Sequence, residues 1–495
     1  TTYQLTLPDC SPATLTKGFT FFADVTGRLS LLPSEIEDER QIIQEERRRG
    51  LSGRQRISNA VMERIAPGSL YGERMTIGKE ETINAVKEAD FKDYYNRWYG
   101  ASNATLMVVA DTDPAEVVKA IRSTFGELPK KPRPTAQDIH VKAYDKSFAI
   151  VASDPEVRGE DLQISTLEPG RPAATTVPAY RDELVGQLAT MALNRRLSDK
   201  ASRGGTSYLS ARVGISNDPR SIRTAEISGR STPGKWKETL GELALELQRA
   251  RAFGFTDREL DDARKELLSG AERAVETEPT VPSASLIGRL NNHVTEGEPI
   301  MSPAQNLDLL KTLLPSVTKE EISERFAQEF DPKAVAFVAT LPSSANVPTE
   351  AELLDLGVKA LAVKPTPEAE TARATTLMAE LPKPGTTVDS TTHEGTQVWS
   401  AWLGNNIRVH HKFMDERKNQ VSIHIDLLGG EMLESADNRG VTSAATPRSP
   451  SSSPMMAKMK SVWASGRKNS FWRPSPRPRP VRPPEPIDIS DSATW

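Results

Sequence analysis

The chain has 495 residues, a formal net charge of -4 and 26% charged residues. It is too long for one ordinary domain, can bury several cores, and shows no global bias toward nucleic acid. One cysteine, Cys10, excludes an intramolecular disulfide and a cysteine-based metal site, and no apolar run is long enough to span a bilayer.

Thr1–Pro8 reads as a strand, after which Leu15, Phe19, Phe22 and Val25 fall at helical spacing on one apolar face. Pro33 suits a first helical turn, and no Gly or Pro interrupts Ser34–Arg49, which predicts a helix. On it Glu39 and Glu46 stand seven residues apart, almost two turns, so they share a face with Ile43 between them. Two carboxylates beside an apolar ridge can hold a metal or position a ligand. The same spacing also describes a solvated acidic and basic surface. Pro67-Gly68-Ser69 and Gly72 mark a loop that carries Tyr71 and Arg74.

An aromatic helix is expected over Phe91–Tyr99 and a strand over Ala104–Val109. Asp113 then caps a helix with Pro114 at its first position and Ile121 and Phe125 on its apolar side. Long helices are predicted at about 235–252 and 257–276, and a strand at 334–339. Residues 341–397, rich in Pro, Thr, Ser and Ala, read as a linker. Beyond it, 402–409 reads as strand, turn, strand. His410 and His411 sit on a strand, where neighbours point to opposite faces and do not jointly chelate. Val421, Ile423, Ile425 and Leu427 alternate with polar residues, as in a half-buried strand.

In this order, Tyr3–Pro8, the Glu46 helix, Ser69–Gly78, Asp90–Tyr99, Asn103–Asp111 and Phe125–Pro129 resemble the pitrilysin/insulinase family of zinc peptidases. The resemblance covers about residues 1–445. It implies an α+β fold of repeated two-layer sandwich domains, with a mixed or antiparallel sheet, helices on one face, and clamshell-type halves. The family's inverted H-x-x-E-H motif supplies two His ligands and a general base, and a Glu on a later helix completes the zinc site. By position Glu46 matches that third ligand. Glu39 matches a supporting acidic position that hydrogen-bonds a zinc-ligating His, and Tyr71 and Arg74 match a segment beside the active-site helices, where they either contact substrate or, the favoured reading, serve packing and salt-bridging. Arg195-Arg196-Leu197 and Tyr208–Ala211 resemble a helix–strand pair with a structural role.

The sequence departs from the family in two places. None of the six histidines lies in an H-x-x-E-H frame, and the position of that motif falls before Thr1, so the expectation is an N-terminally truncated or processed chain with no catalytic residue of its own. One carboxylate cannot hold catalytic zinc, which needs three protein ligands. The pattern also breaks near Ala445. Residues 446–495 hold ten of the 36 prolines, which reads as a disordered basic tail or a frameshifted reading frame.

The domain organisation expected is therefore 1–85, the later part of a zinc-site domain; 86–340, a second α+β domain; 341–397, a linker between halves; 398–445, the start of a third domain; and 446–495, the tail. The resemblance implies a zinc-dependent metalloendopeptidase acting on peptide or unfolded protein, with zinc in the full-length protein and two halves, or two chains, paired around the substrate. The competing readings are a non-catalytic paralogue serving as scaffold or as partner half of a heterodimer, and an adaptor whose proline-rich tail recruits other proteins. Substrate and compartment are not legible.

Overall fold

A computed structural model of the chain describes residues 1–74, 76–344, 346–367, 380, 383–414, 422–426 and 430–442. Six helices come first: α1 Pro12–Gly27, α2 Pro33–Gly50, α3 Gly53–Ile65, α4 Glu80–Ala85, α5 Glu88–Trp98 and α6 Pro114–Phe125. Their starts are written locally. Ser11 and Ser52 accept bonds from the first turns of α1 and α3, and Asp113 accepts the Ala115 N–H at 2.9 Å ahead of Pro114. The strands expected at 1–8 and 104–109 are not formed. A strand needs a ladder partner, and neither segment finds one among the described residues. Instead Leu7, Leu106 and Val108 pack, half-buried, on a small core of Leu15, Phe19 and Val117 where α1 meets α6.

The second unit is built on β1 Phe148–Asp154, β2 Asp161–Pro169, β3 Tyr208–Asn217, β4 Ile222–Ser231 and β5 Ala336–Pro342. Spatial order is β1-β5-β2-β4-β3, with β1 parallel to β5 and every other pair antiparallel. Register pairs Ile164 with both Ile227 and Phe337. One face is covered by α7 Val177–Arg203, α8 Trp236–Phe253 and α9 Asp257–Thr277, with α10 Ser283–Glu296, α11 Pro303–Leu313 and α12 Lys319–Glu329 following in the chain. Leu188, Leu193, Leu197, Ile227, Leu243 and Phe337 are fully buried there. Each such side chain contributes roughly 1.5–3 kcal/mol of burial. This is the two-layer α+β arrangement expected: a mixed sheet with helices on one face.

The 195–197/208–211 pair is structural in geometry. Asn194 bonds both the N–H and the C=O of Val213 at 2.8 Å. Arg196, buried, forms a bidentate pair with Glu259 at 2.7 and 2.8 Å, and Glu259 in turn closes the Thr256 capping box that starts α9. A buried guanidinium left without that carboxylate would be costly.

Within the stretch read as a linker lies a helix of the core, α13 Glu350–Leu361, a correction to that reading. Its Leu353 is fully buried, and Gly357 lies so close to Phe337 that a Cβ there would approach the ring to 2.4 Å. The helix announces itself by a capping box, Thr349 with Glu352, which the Pro-rich surroundings obscure. Three further strands, β6 Thr387–His393, β7 Val398–Leu403 and β8 Arg408–His411, form an antiparallel ribbon, the last two as the expected strand–turn–strand. Residues 422–426 are exposed and outside any strand, so the strand expected there does not form over them, and Val421 and Leu427 lie outside the described residues. The tail 446–495 also lies outside the described residues.

Candidate functional site

Helix α2 is where the sequence places its candidate ligands, and its rotation is fixed by a row of long polar side chains. Arg40 donates to the Val86 carbonyl at 2.8 Å and to the Ile83 carbonyl, and pairs with Glu37 at 2.9 Å. Gln44 donates to Asn84 Oδ1 at 2.9 Å, and Arg47 pairs with Glu80 at 2.8 Å. Residues 40, 44 and 47 follow the i, i+4, i+7 spacing of one helix face, so this face is clamped to α4 and its flanks. Successive residues turn by about 100° in a helix. The neighbouring stripe, Glu39, Ile43 and Glu46, is rotated by about 100° from the clamping row, with Glu39 and Ile43 on a groove that Ile83 and Val86 also line.

The acidic residues of α2 divide accordingly. Glu37 is taken up by Arg40, and Glu45 by Arg48 at 3.0 Å and Arg49 at 2.8 Å. Glu39 and Glu46 are both exposed and hold no hydrogen bond or ion pair among the described residues. Glu39 lies on the wall of a groove of about 420 Å³ whose apolar lining includes Ile36, Ile43, Ile83 and Phe91. Glu46 stands beyond that groove.

Tyr71 and Arg74 are held elsewhere. Gly72 is pressed onto α3, where a Cβ would meet the Glu63 Cα at 2.7 Å, and the Leu70 N–H bonds the Ile139 carbonyl at 2.8 Å. The loop so anchored packs Tyr71 against Ile65, Val141, Ile150 and Val338, on the sheet face opposite the main helices. Burial, and then the nearby Asp218 charge, push the Tyr71 hydroxyl above its ordinary value. Arg74 donates to Gln137 Oε1 at 2.6 Å. Neither residue lines the groove beside α2.

The histidines are dispersed. His293 bonds Glu298 at 2.9 Å, His410 bonds Ser400 across the ribbon at 2.8 Å, and His424 bonds Asp426 at 3.0 Å. Among the described residues no three His, Cys, Asp or Glu side chains converge on one point as a metal would require. The described residues therefore do not make a zinc site by themselves; on α2, Glu39 and Glu46 are exposed carboxylates with no hydrogen bond or ion pair among the described residues. No helix among the described residues is long and apolar enough to cross a membrane.

Sequence reasoning overlooked the clamp, although its spacing was visible, because arginines beside glutamates read as generic surface charge. It also overlooked the polar residues on the uncovered face of the sheet, since β2 and β4 were not recognised as separate strands.

The chain resembles known proteins over part of its length. Residues 85–267 match the family described as "Peptidase M16 inactive domain". The chain is 24% identical over 434 residues to a protein of Arabidopsis thaliana named "Zinc protease PQQL-like", covering 85% of this chain and 41% of that one. Its fold matches the periplasmic protease PqqL from Escherichia coli with a TM-score of 0.68 at 19% identity, over 81% of this chain and 44% of that one. Against the first half of that protease the TM-score is again 0.68, at 20% identity, over 74% of this chain and 79% of the half. The chain spans between 35% and 41% of the length of the first curated relatives it matches.

Proposed function

We propose that the chain, which resembles the pitrilysin/insulinase (M16) peptidases, forms part of a zinc-dependent metalloendopeptidase and supplies Glu46 as one zinc ligand. The observation that carries this is the state of Glu46. It is exposed and holds no hydrogen bond or ion pair among the described residues, on a helix whose rotation is fixed by Arg40, Gln44 and Arg47. The two histidines and the general base would come from an H-x-x-E-H segment outside these 495 residues. Zinc so held would supply an activated water for peptide hydrolysis. Glu39 would orient a ligating histidine through its second ring nitrogen. Tyr71 and Arg74 are proposed at most as remote substrate contacts, because both already have packing or hydrogen-bond partners. The domain limits 1–85, 86–340 and 398–445, and pairing of two halves or two chains around a peptide, belong to the same proposal.

A second reading has its own support, because the matched family is described as the inactive domain. On that reading the chain is a scaffold or a non-catalytic partner half.

One experiment separates the two. The purified chain is assayed for zinc and peptide cleavage alone and then joined to the segment encoded immediately upstream at its genomic locus. The peptidase reading expects no stoichiometric zinc alone, one zinc in the joined protein, and its loss in Glu46→Gln. Tight one-to-one zinc in the 495-residue chain, or full zinc and cleavage in the joined Glu46→Gln protein, would sink the assignment of Glu46. An upstream segment without H-x-x-E-H would favour the non-catalytic partner.

A further inference from the structure

On β4, Arg223, Ala225, Ile227, Gly229 and Ser231 turn toward the helices, so Glu226, Ser228 and Arg230 face the opposite side of the sheet. At one end of that side lies the cluster of Ile65, Tyr71 and Val141. The remainder forms a concavity of about 490 Å³ lined by Asp161, Gln163, Arg212, Glu226, Arg230 and Thr340.

The charges in this concavity are unevenly satisfied. Asp161 and Arg230 form a bidentate pair, both contacts at 2.8 Å. Gln163 donates to Glu226 Oε2 at 2.7 Å, which fixes the carboxylate and leaves Oε1 to Arg212. That pair is loose: 3.4 Å, with the glutamate side chain 23% exposed and the arginine side chain 77% exposed. The anion is set in the floor while its cation lies in solvent, where an ion pair stabilises little. Burial raises the Glu226 carboxyl above its ordinary value, and Arg212 offsets this only in part.

We propose that this pocket is a peptide side-chain subsite, in which Glu226 receives an arginine or lysine of a bound peptide and Arg212 is the internal occupant it displaces. Charge complementarity selects the guest. Asp161 and Arg230 cancel, Gln163 is neutral, and once Arg212 swings out, releasing Ser228 as well, one half-buried carboxylate remains. The Arg212 contact already shows that a guanidinium reaches Oε1. That the guest belongs to a peptide rests on the peptidase reading above; the affinity of the pocket for a cation does not.

The test titrates the whole chain with N-acetyl-arginine methylamide and with its citrulline counterpart, which keeps the shape and removes the charge, read by NMR or calorimetry. Saturable binding of the arginine probe alone is expected. Glu226→Gln should weaken it by roughly tenfold or more, the scale of a hydrogen bond to a charged group. Arg212→Ala should strengthen it by removing the competitor. Equal binding of both probes, no saturable binding of either, or an Arg212→Ala protein that binds more weakly would overturn the proposal. If Glu226→Gln fails to fold, the direction of the Arg212→Ala change decides alone. Zinc content and peptide cleavage are independent readouts, so failure here is distinguishable from failure of the peptidase reading.

Discussion

Two regions of this molecule solve the same burial problem to very different extents. The sheet unit, residues 148–361, buries one face of its sheet under helices: β5 is buried almost throughout, and α7 and α8 bring rows of leucines to 3% exposure or less. The helical region, residues 1–128, closes around Leu15, Phe19 and Val117 and leaves Leu32, Ile42 and Tyr94 more than half exposed. A sheet with a covered face is self-sufficient because each strand satisfies its neighbours' backbone groups. Amphipathic helices with little sheet beside them have no such template, although α3 does rest on the sheet through Ile65 and the Arg56–Asp154 pair. The candidate ligand Glu46 lies in the thinly packed region and the proposed side-chain subsite in the thickly packed one. Chemistry at α2 thus depends on what else covers those helices, whereas the sheet pocket is preformed.

The sharpest way to break this contrast is by cavity formation. Leu193→Ala, fully buried on α7, should cost about 2–5 kcal/mol in urea unfolding of the sheet unit. Leu15→Ala should cost distinctly less, since its surroundings can collapse; equal losses would mean that the two cores are equally tight. Hydrogen exchange should report the same order, with amides of α1, α2 and α5 opening at lower free energy than those of β2, β4 and α7. Uniform protection would make the chain one cooperative unit.

The junction between the regions provides a pH test. The Arg56 guanidinium, at 2.7 Å and 3.0 Å, and then the Glu156 backbone N–H hold the Asp154 carboxyl below its ordinary value. Glu156 in turn accepts the Gly53 N–H at the start of α3. A carboxyl whose folded pKa is depressed contributes stability that is present above the unfolded value, about 3.9, and lost as pH falls through the folded one. Exchange protection of α3 should therefore fall below about pH 4 before that of β2, and Asp154→Asn should reduce this pH dependence, leaving the part that Glu156 carries through the Gly53 N–H and Arg56. An unchanged profile in the variant would show that the pair does not hold α3 on the sheet.

Smaller effects finish the series. Asp113→Ala, which removes the cap of α6, should destabilise the helical region by about 1 kcal/mol and leave the sheet unit's transition in place. Glu46→Gln should change stability by less than about 0.5 kcal/mol, because the side chain is exposed and holds no hydrogen bond or ion pair among the described residues. A larger loss would mean that Glu46 is structural.

Helix α2 was legible to within a residue, because Pro33, an uninterrupted run of helix formers and Gly50 punctuate it. The long helices α8 and α9, the cap at Asp113 and the Gly-rich loop at 67–72 were equally plain. The segments 1–8 and 104–109 were misread, because β-prone residues declare extended backbone and not the partner that makes it a strand. Helix α13 was missed because composition outweighed its capping box.

By itself the sequence determined what local chemistry controls: helix starts and stops, the pairing of Glu39 and Glu46 on one face, and the order of segments that resembles a peptidase family. The tertiary structure decided what depends on distant residues. It clamped α2 through Arg40, Gln44 and Arg47 so that Glu46 lies exposed, drew Tyr71 onto the sheet, and left Glu226 in a polar pocket between β2 and β3. Burial and ion pairing are relations between chain segments up to hundreds of residues apart, and no local pattern encodes which segments meet.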